Sequence, residues 1–259
     1  MTESLSPLQR ALLDNVSCVR LFAVVSWGAA ATKWLAKALN SHPDMLCLHA
    51  GTNALSRFGP GIDSRQYYHA LSVLAHGYRA VGDVHGIARH HIPALKEAFG
   101  DRFNAVVLVR EPVARVRSLM ALFEQFRGLD GWNLSYVEEM IETKQLRLPP
   151  GEESRMFVHA ANMLNAIAEE KVVGRVYKTE DLTSSAETLA ALVRDVSGGD
   201  IEPAAEWLAS CLRSPRVNVH STRQEWLPSD WQLEVLRAVV TDDAWSMYEE
   251  LGYPVPSFA

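Results

Sequence analysis

Two short stretches of this chain carry residues suited to holding an anion, and a third offers a histidine suited to moving a proton. The first is Gly28-Ala29-Ala30-Ala31-Thr32-Lys33. Small residues there let backbone N–H groups approach a ligand closely, and the helix that starts at about Thr32 presents free N–H groups and a positive dipole end. The second is Arg110, which directly follows the apolar run Phe103 to Val109. The third is His85, which follows the run Arg79 to Val84. A histidine is neutral or nearly so at pH 7, as a general base must be.

Each has an alternative. A strand, a small-residue turn and a helix occur in every α/β protein, and the pattern G-x-x-x-x-G-K-[ST] is not met: Ala31 stands where its second glycine belongs and the lysine is displaced to Lys33. His85 equally suits a loop-capping role. His90 and His91 are adjacent, so they point in different directions and form no ligand set with His85; no metal is expected. Arg115 and Arg117 add positive charge after Arg110, and their alternation reads as a solvated helix face.

These residues need elements to hold them. Leu21 to Val25 is apolar without alternation, as in a strand of a parallel sheet covered on both faces. The following helix has an apolar stripe of Trp34, Leu35, Ala38 and Leu39 and ends at Asn40 and Pro43. Further strands are expected at Met45 to Leu48, Arg79 to Val84, Phe103 to Val109 and Val172 to Tyr177. Further helices are expected at 93–99, from Pro112 onward, at 132–143, 153–170, 186–196, 201–213 and 230–251. Arg110 and His85 then both leave the C-terminal ends of strands, the edge where open α/β sheets bind ligands. Ser118 falls about two turns into the helix after Arg110. The stretch His49 to His76, polar and aromatic with several glycines, reads as an insertion that shapes an acceptor pocket. Ser214 to Pro228 has little apolar periodicity and carries Arg223.

Composition narrows the classes. The chain has 259 residues, 48% hydrophobic and 22% charged, with a net charge of −6, ordinary for a globular protein and enough for one large α/β domain or two small ones, of which the lack of an internal repeat or low-complexity linker favours one. A single domain over 1–259 is expected. The acidic balance argues against general attraction to nucleic acid, so any anion site must be built locally. Cys18, Cys47 and Cys211 are odd in number and widely spaced, which argues against a disulfide framework and for a reducing, cytoplasmic setting. No run is long enough to span a bilayer, and no oligomeric state can be read.

Three pieces, in this order, resemble the sulfotransferases that use 3′-phosphoadenosine 5′-phosphosulfate (PAPS). SWGAAATKWLAKALNSHP is similar to that family's strand-loop-helix for the 5′-phosphosulfate. VVLVREPVARVRSLM is similar to its 3′-phosphate element, and KTEDL with the late LGY completes the set. The resemblance spans Leu21 to Tyr253. It implies an α/β fold like that of P-loop nucleoside-triphosphate hydrolases: a three-layer sandwich with a central, mostly parallel sheet flanked by helices. It also implies that Arg110 and Ser118 bind the 3′-phosphate and that Gly28, Ala29, Ala30, Ala31, Thr32 and Lys33 cradle the 5′-phosphosulfate. Trp34 would stack on the adenine, although it equally fits core packing, and His85 would be the base.

The chain departs from the family where a lysine or arginine and then Ser-Gly-Thr-Thr usually stand: here the residues are Ala29 to Lys33. The cation for the leaving oxygen is therefore expected from Lys33, folded back over the turn, or from Arg223. The function expected is transfer of a sulfuryl group from PAPS, without metal, to a hydroxyl or amine of a small-molecule or carbohydrate acceptor. The alternatives are a nucleotide-binding relative without catalysis, and a P-loop kinase using ATP with magnesium.

Overall fold

The structure is a computed structural model, and it describes residues 18–26, 30–49, 64–75, 77–84, 90–125, 135–170, 173–214 and 228–257. In chain order the elements begin β1 (Arg20–Val25), α1 (Thr32–Asn40), β2 (Met45–His49), α2 (Ser64–Leu74), β3 (Ala80–Val84), α3 (Ile92–Phe99) and β4 (Phe103–Val109). They continue with α4 (Pro112–Gln125), α5 (Ser135–Thr143), α6 (Glu152–Asn162), α7 (Ile167–Glu170) and β5 (Arg175–Lys178). The last are α8 (Thr179–Leu182), α9 (Ala186–Val196), α10 (Ala205–Arg213), α11 (Asp230–Val239) and α12 (Asp242–Glu250).

The five strands form one sheet in the order β2-β3-β1-β4-β5. β1 runs parallel to both β3 and β4, and β2 runs parallel to β3. With helices around this sheet, the fold is of the α/β class expected. Val24, Val25, Val107 and Val109 are 0% exposed, so each contributes about 1.5–3 kcal/mol by leaving water. The strand order reverses at β1 and β4: the chain leaves β1 for β2 on one side and β4 for β5 on the other. The C-terminal ends of two adjacent strands with diverging connections form the crevice where such sheets bind ligands.

The chain divides into two compact units. The first comprises 1–26, 31–108 and 173–217 and holds nearly all of the sheet. There β1 and β3 approach so closely that a Cβ at Gly82 would collide with the carbonyl oxygen and ring of Phe22, which is why glycine interrupts the apolar run of β3. At its end α1 is tied to β2 by Asn40, whose side-chain oxygen accepts from Cys47 N at 2.8 Å. Cys47 and Cys211 are buried and Cys18 is exposed.

The second unit comprises 27–30, 109–172 and 218–259. Arg115, expected on a solvated face, is 1% exposed and donates to Tyr248 Oη at 3.2 Å, linking α4 to α12. Tyr253 Oη donates to Val109 O at 3.4 Å, and Gly252 takes the positive φ of 75° that a helix C-terminus favours. The LGY triplet thus turns the chain back onto the end of β4. The helices expected at 153–170 and 230–251 are each interrupted. The first passes through a 3₁₀ turn at Met163–Ala166. The second stops at Val240, and Thr241 starts α12 by accepting from Ala244 N at 3.3 Å.

Candidate functional site

β4 ends and α4 begins within Val109-Arg110-Glu111-Pro112, and the local chemistry explains the sequence. Pro112 supplies the fixed φ of a first helical position. Glu111 caps the helix, its carboxylate accepting from Val113 N at 3.0 Å and from Ala114 N. With the helix start fixed on both sides, the Arg110 side chain is directed along α4, where Nη1 donates to Ser118 Oγ at 2.7 Å. Both residues are half-buried. The structure therefore brings together the two residues that the sequence singled out for one phosphate.

At the other element, Val25 pairs with Val107, so β1 ends beside β4. Ser26, the last residue before the turn, is 1% exposed and its Oγ has no hydrogen-bond partner. A buried hydroxyl left unsatisfied costs about 1–3 kcal/mol. Ala31 sits in the left-handed region at φ 55° and ψ 24° as the N-cap of α1, with no side-chain cap. The turn thus keeps a glycine-like backbone although its residue is alanine. The first turn of α1 has no acidic residue and carries Lys33, which is exposed. An uncapped N-terminus with a lysine beside it is electrostatically suited to an anion.

Trp34 is 3% exposed and belongs to the buried stripe of α1 with Leu35, Ala36, Ala38 and Leu39, as core packing requires. Ala30 is likewise 1% exposed. Gly28, Ala29, His85 and Arg223 lie outside the described residues. So does most of the expected acceptor insertion, except for α2, whose Tyr68 is fully buried against Phe103 at 5.5 Å between ring centroids.

Sequence reasoning passed over His49 and Asp83. His49 ends β2 and its Nε2 lies 3.1 Å from Thr32 Oγ1, at the head of α1. Desolvation and then the Lys33 ammonium lower its pKa, while Asp83 opposes them. Asp83, in β3, is 0% exposed. Its charge also raises the pKa of the Tyr67 and Tyr68 hydroxyls, secondary to the effect of burial. The rule that singled out His85, a histidine at the C-terminal end of a strand, applies equally to His49.

At the N-terminal half of β4 a cleft is lined by Asn104, Arg175, Arg194 and Asp195 among others. Its arginines are already committed: Arg194 to Glu202 at 2.7 and 2.8 Å, Arg175 to Asp195 at 3.4 Å. It lies at the end of β4 away from Arg110. Among the described residues no group of three or more His, Cys, Asp or Glu is placed to hold a metal ion, and no described helix is long and apolar enough to cross a membrane.

No family model and no curated protein matches the chain. Solved structures similar to it include two sulfotransferases. A sulfotransferase from Alicyclobacillus acidocaldarius is 16% identical over 90% of this chain and 96% of its own, with a TM-score of 0.47. The sulfotransferase domain from the curacin biosynthetic pathway is 12% identical over 92% of this chain and 99% of its own, with a TM-score of 0.48.

Proposed function

We propose that residues 1–259 act as one PAPS-dependent sulfotransferase domain that moves a sulfuryl group to a hydroxyl, or an amine, of a small-molecule or carbohydrate acceptor. The observation that carries this reading is the Arg110–Ser118 pair, a guanidinium and a hydroxyl 2.7 Å apart, the arginine directly after β4 and the hydroxyl on the helix that follows. A guanidinium with a neighbouring hydroxyl suits a terminal phosphate, and charged hydrogen bonds of this kind are the strong ones. The orphaned Ser26 hydroxyl and the uncapped N-terminus of α1 fit a second anionic group at the end of β1.

The co-substrate would supply a sulfuryl group already activated on a phosphate leaving group. The protein's task is then positioning and charge stabilisation. Arg110 and Ser118 bind the 3′-phosphate, Thr32 and the backbone of Ala30 and Ala31 hold the 5′ end, and Lys33 offsets the charge that develops on the leaving oxygen. His85, following β3, takes the proton of the acceptor hydroxyl.

Calorimetric titration with 3′,5′-adenosine bisphosphate, with ATP and AMP as controls, tests the nucleotide site. Micromolar binding selective for the 3′-phosphate is expected, and preference for ATP with magnesium would replace the reading by a kinase. A second reading, a nucleotide-binding protein without catalysis, is favoured by the alanines at 29–31. Turnover of PAPS with an acceptor panel separates it from the first.

A further inference from the structure

His49 is solvent-exposed at the end of β2, in hydrogen-bonding distance of the first side chain of α1: Nε2 to Thr32 Oγ1 is 3.1 Å. Among the described residues, two charged groups act on it. From α1 comes the Lys33 ammonium, from β3 the buried Asp83 carboxyl, and on its own strand lies the buried thiol of Cys47. The register places His49 beside Val84, one residue beyond Asp83.

A threonine hydroxyl has one proton to give. When Nε2 is unprotonated, the hydroxyl donates to the imidazole and its proton is lost to any ligand at the head of α1. When Nε2 carries a proton, the imidazole donates to Oγ1 and the hydroxyl proton turns away, toward a ligand. The tautomer and protonation of His49 therefore decide what Thr32 offers, and the imidazolium, with a proton on both nitrogens, fixes Nε2 as the donor.

We propose that His49 is a positioning residue of the phosphosulfate end: protonated on both ring nitrogens, it donates to Thr32 Oγ1, turns the threonine hydroxyl onto the bound anion, and adds positive charge that Ala29 cannot supply. This rests on the sulfotransferase reading above. Desolvation and Lys33 lower the pKa of the imidazole in the free protein, whereas an anion at the head of α1 counters the lysine and favours the imidazolium. Binding then draws one proton from solvent onto Nδ1 or Nε2. Affinity rises as pH falls through the pKa of the complex and levels off below the pKa of the free protein.

The experiment is titration with 3′,5′-adenosine bisphosphate from about pH 6 to 8.5, around the histidine range, in buffers of different ionisation enthalpy. It uses the full chain, His49→Gln and Thr32→Val. The ligand's own phosphates titrate alike in all three, so differences report the protein. The unaltered chain is expected to take up more protons on binding than His49→Gln, by up to one, and to gain about tenfold more affinity toward acid pH for each unit by which binding raises the pKa. Thr32→Val should gain less affinity toward acid pH than the unaltered chain, because its side chain cannot accept from His49. Equal proton uptake and equal pH slopes in the unaltered chain and His49→Gln overturn the role of His49 and leave the nucleotide site standing. So does a loss in His49→Gln that is uniform at every pH, because a purely structural contact would behave so. Failure of the unaltered chain to bind the bisphosphate at any pH overturns the sulfotransferase reading, and the role of His49 with it.

Discussion

Ala31 holds a left-handed backbone at φ 55°, a conformation that costs an L-residue with a Cβ roughly 1–2 kcal/mol. Ala31→Gly is therefore expected to stabilise the protein by about 0.5–1 kcal/mol after the greater chain entropy of glycine is deducted. Urea unfolding should show a higher midpoint with unchanged slope; a lower midpoint would mean that the methyl group contributes packing that outweighs the strain. At Arg110 the expectation concerns binding. Arg110→Ala should weaken 3′,5′-adenosine bisphosphate by roughly 1.5–3 kcal/mol, as befits a charged hydrogen bond, with AMP much less affected, and equal losses for both ligands would take the arginine away from the 3′-phosphate. The placement of Arg110 at a strand end and of Ser118 two turns into the next helix was legible from an apolar run, a proline and helical spacing, whereas their pairing was implied only by the resemblance to sulfotransferases. The left-handed turn was not, since Ala31 reads as the loss of a glycine when in fact the glycine-like geometry is retained. Arg115 was misread for a related reason: its charge suggests solvent, whereas in the fold it is buried and donates to Tyr248 of α12.

Among the elements, α5 and α6 are coupled by a hydrogen bond between the Tyr136 hydroxyl and Nδ1 of His159, a histidine that is 7% exposed. Burial lowers the His159 pKa to about 4, below the ordinary value near 6.5 that it regains on unfolding. The unfolded chain thus binds the extra proton first. Stability from this group is full above about pH 6.5, falls as pH drops toward 4 and is flat below, a loss of up to about 3 kcal/mol. Urea unfolding across that range should show the decline, and His159→Asn should flatten it; a decline of the same size in the variant would assign it to other groups. The elements themselves show where sequence patterns stop. β1 and β4 were legible as continuous apolar runs, because strands covered on both faces leave no polar side. The break between α11 and α12 was not, since apolar spacing continues through Val239 and Val240 while the stop is made by one threonine cap. α2 was hidden in a stretch whose glycines and arginines suggest a loop.

For the molecule as a whole, a ligand that binds only the folded chain must raise its melting temperature. At a free concentration about one hundred times its dissociation constant, 3′,5′-adenosine bisphosphate should add about 2.7 kcal/mol, seen as a clear thermal shift, whereas AMP at the same concentration should give much less. Equal shifts would show that the 3′-phosphate is not recognised. The cysteines make possible a finer measurement. Burial pushes the thiols of Cys47 and Cys211 up in pKa, and thiolate is the form that reacts with alkylating reagents. Cys18 is exposed, so a brief maleimide pulse should tag it alone, and further tags mark molecules that have opened. Because all three cysteines belong to the sheet-bearing unit and none to the other, counting tags by mass spectrometry is a clock for the opening of the first unit, blind to the second.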